Sequence, residues 1–225
     1  MLVWLVICIV FWTWYLAFHE FTYQTLYFYV WLIGFGLPVW FYRRKLRSIL
    51  QKWQISGRTK FLLLGYGMVL LEEIFAALFN HLSEGFSILL YVQRIGQFWA
   101  LNILAFTGFV VGWWVLISWL KYSDSEVFYL AGIFGLYSER IYLHLFSNIM
   151  AVLLFAPLVI FTYGLIITPA LLSVKHPGKR QMHPVLKYPL SLVMIFIFSI
   201  MPVLLLVVLR THYPWAFPPA EFVPL

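Results

Sequence analysis

The sequence predicts an all-α fold, a polytopic transmembrane helical bundle of about seven spans with an internal repeat. Three observations predict it. Of 225 residues, 64% are hydrophobic and 10% charged, with a mean hydropathy of +0.91, whereas a soluble domain carries about 25% charged residues. The apolar residues fall in continuous runs of about 20, the length of a bilayer-crossing helix, and lack the period-two alternation of an outer-membrane barrel. Seven of the fifteen basic residues crowd into 43–60 and four into 175–187, as in the cytoplasmic loops of membrane proteins. A disordered chain is excluded by 22 Phe, 14 Tyr and 11 Trp. The net charge of +7 sits in loops and not along a groove, so nucleic acid is not the expected partner and membrane lipids with anionic headgroups are.

The elements follow in order. The run 2–18 has no charged leader or small-residue cleavage site and reads as a retained helix. It carries the single cysteine, Cys8, so no intramolecular disulfide forms. His19-Glu20 reads as an interfacial pair before a second span, 22–42. After the basic loop Arg43–Lys60 come spans 61–82 and 97–120. The run 127–172 would extend about 69 Å as one helix, over twice the hydrocarbon thickness, and so divides into 127–146 and 147–172. The last span is 187–210; His176, His183 and His212 read as loop residues, and Pro214–Leu225 as an irregular tail. With Arg43–Lys60 in the cytoplasm, seven spans return Lys175–Lys187 to the same side and put the N-terminus there too. Residues 1–225 form a single integral-membrane domain in a cytoplasmic or equivalent inner membrane.

The polar residues inside these spans repeat. Leu71-Glu72-Glu73-Ile74-Phe75-Ala76-Ala77-Leu78-Phe79-Asn80-His81 precedes Ser138-Glu139-Arg140-Ile141-Tyr142-Leu143-His144-Leu145-Phe146-Ser147-Asn148 by 67 residues. Matched leucines mean little in apolar helices, but a matched glutamate is informative in a chain with eight acidic residues. The repeat predicts Glu-containing helices over 61–82 and 127–148, with both glutamates deep in the bilayer. Buried ionisable groups at that depth are normally paired and face the bundle interior. Glu72 and Glu73 point about 100° apart around a helix and are expected to serve different faces. Arg140 is the expected counter-ion for a glutamate of the first copy. Glu72, Glu73 and Glu139 are the candidate catalytic residues, with Asn80, His81, Arg140, His144 and Asn148 as polar support. The same contacts also serve as helix-to-helix glue. No His-x-x-Glu-His or comparable spacing suggests a metal.

With these residues in view, the chain resembles the integral-membrane lycopene cyclases of the two-repeat type, which carry a Pro-x-Glu-Glu signature in each repeat. Leu70-Leu71-Glu72-Glu73-Ile74-Phe75 with Asn80, then Gly135-Leu136-Tyr137-Ser138-Glu139-Arg140 with Ser147-Asn148, are similar to the two signatures. Tyr15-Leu16-Ala17-Phe18-His19 is similar to that family's N-terminal Tyr-Leu-x-Phe-His. Both signature prolines are replaced, by Leu70 and Tyr137, and the second glutamate of the second copy is Arg140. The resemblance implies cofactor-free cyclisation of a lycopene-like polyene or other isoprenoid taken from the bilayer. Glu72 or Glu73 would be the acid and Glu139 the base or cation stabiliser. Phe75, Phe79, Tyr142 and Phe146 would line the pocket, because aromatic faces attract cations.

Two other readings compete. The chain also resembles the CAAX-type intramembrane proteases, through Glu72-Glu73 and the His-x-x-x-Asn of His144–Asn148, acting without a metal or through glutamates. Ala77 stands where that family has arginine, and Asn102 where it has histidine. A non-catalytic pigment- or lipid-binding subunit, in an oligomer or a larger membrane complex, is the third.

Overall fold

The computed structural model describes residues 1–18, 23–82, 85, 87–175 and 178–217. His19-Glu20 and His176 lie outside them. The chain forms a helical bundle, with no strand among the described residues. The helices are α1 (Leu2–Phe18), α2 (Tyr23–Phe28), α3 (Leu37–Gln51), α4 (Gly57–Leu82), α5 (Ile88–Ala105), α6 (Thr107–Trp119), α7 (Asp124–Ser138), α8 (Ile149–Ser173) and α9 (Pro184–His212). A π-helical stretch, Tyr29–Gly36, joins α2 to α3, and a 3₁₀ turn, Ile141–His144, follows α7.

Five rods are long and apolar enough to cross a bilayer: Thr25–Gln51, Gly57–Leu82, Ile88–Ala105, Ile149–Ser173 and Pro184–His212. Leu2–Phe18 and Thr107–Trp119 are shorter apolar helices, and the 15 residues of α7 reach only about 22 Å. The expected 97–120 span is α5 and α6. Gln93, Arg94 and Gln97 hide the start of α5 in the sequence. At Phe106 the two helices meet, and its N–H still reaches Asn102 O at 2.9 Å while Val110 N–H reaches Phe106 O at 2.9 Å. The expected basic loop after residue 42 is helical to Gln51. Its bases alternate with Leu46 and Leu50, which pack toward the core, so this part of α3 is amphipathic.

The second repeat copy does not continue as a helix. α7 ends at Ser138, Glu139 is its cap, and Arg140 takes the left-handed conformation with φ 55°. Such a residue closes many helices but is usually glycine or asparagine. The expected division at 146/147 is therefore a break spanning 139–148. His183, expected in a loop, caps α9, with Nδ1 accepting from Val185 N–H at 3.4 Å. His212 lies in the last turn of α9.

α8 is the central helix, against α1, α3, α4 and α7. Glycine lets α7 approach it. A Cβ on Gly132 would stand 2.6 Å from the Ile160 carbonyl oxygen, and one on Gly135 2.5 Å from the Tyr163 ring. Small residues serve this purpose in membrane helix pairs. Pro157 of α8 lacks the N–H that would bond the Leu153 carbonyl. Side chains of α1 supply the donors: Trp4 Nε1 reaches Leu153 O at 2.8 Å, Cys8 Sγ the same oxygen at 3.4 Å, and Trp12 Nε1 reaches Leu154 O at 3.4 Å. α9 has an outward apolar face including Val193, Ile197, Ile200, Met201 and Leu204. A bilayer covers such a surface; water does not.

The basic segments meet at one end of the bundle. Arg47 of α3 pairs with Asp124 of α7, and Gln51 Nε2 donates to Leu172 O of α8 at 3.3 Å. Lys121 N–H donates to Arg180 O at 3.0 Å. Lys187, whose side chain is 7% exposed, pairs with Glu126. Glu126 also closes a capping box with Ser123 at the start of α7. Burial works to raise the Glu126 carboxyl. Hydrogen bonds from Lys187, the Ser123 backbone and Tyr188, with the Lys187 charge, outweigh it and bring the carboxyl down to about 2.

Candidate active site

α4 carries Glu72 and Glu73 into the bundle interior, 8% and 7% exposed. The α5 side chains Trp99 and Tyr91 fix α4 around them, with Trp99 Nε1 donating to Leu70 O at 2.9 Å and the Tyr91 hydroxyl to Ile74 O at 3.1 Å. The Tyr27 hydroxyl of α2 donates to Glu72 Oε1. On the other side the Tyr163 hydroxyl of α8 donates to Glu139 Oε1 at 2.6 Å. Glu72 and Glu73 share a hydrogen bond, and Glu139 acts on both only through its charge. Adjacent glutamates on a helix were expected to serve different faces. Their flexible side chains bring the carboxyls together instead.

The depth of the group follows from the helices. Glu72 lies fifteen residues beyond the start of α4, and Glu139 fifteen beyond the start of α7. Both starts sit at the basic end, so both glutamates lie about 22 Å from it. The break after Ser138 then matters, because it frees Glu139 from a helix face and leaves it exposed at the bundle surface while Tyr163 remains buried. The site thus has two enclosed carboxyls and one at the bundle surface.

Aromatic rings back both tyrosines. Around Tyr27 are Phe28 (centroids 5.0 Å apart) and Phe79 (6.4 Å), and one turn further Trp31 meets Phe75 at 5.8 Å. Around Tyr163 are Phe106, stacked at 5.6 Å, and Phe109 at 6.1 Å, which reaches Phe134 at 5.4 Å. The π-helical stretch begins two residues after Tyr27 and ends with Leu37 N–H bonded to Leu32 O, five residues back. Such widenings of a helix recur at functional sites. Pro38, which lacks an N–H, stands where the wide turns return to α-helix.

The structure therefore brings together Glu72, Glu73, Glu139, Phe75 and Phe79. It does not bring the rest. Arg140 is exposed and, among the described residues, forms no ion pair; its left-handed backbone places it past the helix end. Tyr142 stacks on Tyr137 at 5.3 Å, and Phe146 is wholly exposed at 101%. Neither lines a pocket with the glutamates, because the segment that carries them is a surface turn. His144 is exposed in that turn, and Asn148 caps α8, accepting from Ala151 N–H at 3.1 Å. The His-x-x-x-Asn therefore stays apart from Glu72 and Glu73. His81 is buried, with Nε2 accepting from Ser87 N–H at 2.7 Å ahead of α5. Asn80 lies half-buried about 12 Å along α4 from Glu72. Among the described residues no three His, Cys, Asp or Glu side chains group as a metal site.

Sequence reasoning missed Tyr27, Tyr163, Phe106, Phe109 and Phe134. Tyr27 near a span start looks like an ordinary interfacial aromatic. Tyr163 did carry a signal, as a polar ring inside the run 147–172, nine residues or more from either end. No family model matches the chain, and no curated protein or solved structure matches it.

Proposed function

We propose that the chain is a membrane-embedded isoprenoid cyclase, acting without a cofactor on one end of a lycopene-like polyene. The observation that carries the reading is the meeting of three glutamates from two chain-distant elements beside two clusters of aromatic rings. A carboxylic acid of the Glu72–Glu73 pair transfers its proton to the terminal double bond, which leaves a tertiary cation. The π pair of an internal double bond attacks that cation and forms the ring carbon–carbon bond. The Glu139 carboxylate then removes a neighbouring proton and restores a double bond. Substrate and product are isomers, so nothing is oxidised or reduced. The proton gained by Glu139 balances the one given up by the acid, and both groups are reset before the next turnover. Aromatic faces stabilise the intermediate cation, and the exposed position of Glu139 suits a substrate dissolved in lipid.

The basic end, in this reading, faces the cytoplasm and anionic lipid headgroups. The test is expression of the full chain in a host that accumulates lycopene. The expected result is a cyclised product formed without flavin or nicotinamide and lost in at least one of Glu72→Gln, Glu73→Gln and Glu139→Gln. An intact, membrane-inserted chain that alters no supplied polyene would sink the proposal. Cleavage of a prenylated peptide would replace it with the protease reading.

A further inference from the structure

The two tyrosines lie outside the repeat, on α2 and α8, yet each phenol donates to one glutamate of one copy. Among the described residues no phenol donates to Glu73; its hydrogen-bonding neighbour is Glu72. The three carboxyls are therefore not equivalent. A buried carboxylate is tolerated when hydrogen-bond donors face it, and an unpaired one is costly enough that a proton is its cheapest partner. Hydrogen bonds from neutral donors to a charged acceptor are also stronger than those to a neutral one. We infer that Tyr27 and Tyr163 are the positioning residues of this site: Tyr27 favours the ionised form of the buried Glu72, Tyr163 fixes the orientation of Glu139 at the bundle surface, and Glu73 is left as the carboxyl that carries the transferable proton.

The inference rests on the cyclisation reading for its chemistry, but the pairing itself is independent of it. Tyr27 is held for the task by its place immediately before the π-helical stretch and by its contacts with Phe28 and Phe79. Tyr163 is held by Phe106 and by Gly135 of α7, whose missing side chain lets the ring lie against that helix. Neither phenol needs to touch the substrate. Each fixes the orientation of a carboxyl that does, and errors of about 1 Å in such placement cost about 10²-fold in rate.

The experiment uses the full chain in lipid nanodiscs, with two readouts. The first is the infrared C=O stretch of protonated carboxyls, identified by its shift in D₂O. It is expected in the intact protein and in Glu72→Gln, and lost in Glu73→Gln. Tyr27→Phe is expected to add a protonated-carboxyl band, as the buried Glu72 loses its donor, whereas Tyr163→Phe, whose partner Glu139 is exposed, leaves the band as it is. Tyr66→Phe, which removes a hydroxyl of α4 that donates to Thr107 Oγ1 at 2.9 Å, serves as the packing control and leaves the spectrum unchanged. The second readout is polyene conversion, where both phenylalanine variants lower kcat about 10²-fold with KM unchanged. A band that survives Glu73→Gln, a Tyr27→Phe variant with the spectrum of the intact protein, or a Tyr163→Phe variant with unchanged kcat overturns the inference. Expected spectra with no conversion of any polyene by the intact chain would leave the pairing standing and remove the cyclase reading alone.

Discussion

The pair between Lys187 and Glu126 closes the basic end of the bundle, and its removal has a size that the structure fixes. Glu126→Gln leaves the Lys187 ammonium, 7% exposed, without its carboxylate. Breaking a buried pair costs about 3–5 kcal/mol. The Tyr122 and Tyr188 rings, 4.9 and 5.4 Å from Lys187 Nζ, offset about 1 kcal/mol of this. Titration gives a second route to the same quantity. A carboxyl held at about 2 against an ordinary 4.5 contributes roughly 3 kcal/mol at neutral pH, or roughly 2 after screening by the water that reaches Glu126. Folding lowers this carboxyl, so the unfolded chain binds its proton more readily than the folded one. The contribution is complete above pH 4.5 and is lost as pH falls from there through about 2. Thermal unfolding in neutral-lipid nanodiscs tests both. Glu126→Gln should lose about 2–4 kcal/mol at pH 7 and respond less to acid, and Glu126→Gln with Lys187→Met should recover most of the loss. A single variant as stable as the parent, or a parent equally stable at pH near 5 and near 2, would refute the reasoning. The Arg47–Asp124 pair, 44% exposed on both sides, is expected to add less than about 1 kcal/mol.

Gly132→Ala should destabilise by about 2–3 kcal/mol, the upper part of the overpacking range, because its new methyl meets backbone atoms of Ile160 that no rotamer change can move; chemical unfolding in detergent measures it. Arg140→Gly should stabilise by about 0.5–1 kcal/mol, since glycine occupies the left-handed conformation without strain, seen as a higher Tm. Trp4→Phe removes a donor to the Leu153 carbonyl and should cost about 1 kcal/mol of α1 docking. The single cysteine reports it, because Cys8, now buried against α8, should react faster with an apolar maleimide. Unchanged alkylation would show that the indole contact does not hold α1.

The amount of this visible in the sequence depended on the kind of signal. Apolar runs and clustered bases report solvent, so the helical bundle and the association of the two basic segments were legible. The rarity of acidic residues made Glu72, Glu73 and Glu139 legible as a group, although nothing in the spacing showed that adjacent carboxyls would converge. Helix ends were poorly legible. Arg140 is a helix terminator without the usual glycine, so α7 looked continuous to residue 146, and His144, Asn148, Tyr142 and Phe146 were assigned to a helix face that does not exist. Gly132, Gly135 and Gly164 mark close packing of α7 on α8, and Pro157 the docking of α1, effects set by partners distant in sequence and therefore not legible in it.

The unequal fate of the two repeat copies is what gives the site its asymmetry. Had the second copy remained helical, Glu139 would lie on a helix face as Glu72 does, and the site would hold like carboxyls in like surroundings. Like surroundings do not separate an acid from a base; different ones do. Stopping α7 at Ser138 puts Glu139 at the bundle surface, within reach of Tyr163 and of the buried pair. The strained backbone at Arg140 is the local cost, of order 1 kcal/mol. Arg140→Gly therefore separates two roles for this break. A variant that is more stable and keeps its activity shows that the position of the helix end alone matters, whereas a more stable variant with slower conversion shows that the arginine in the second copy contributes to the chemistry.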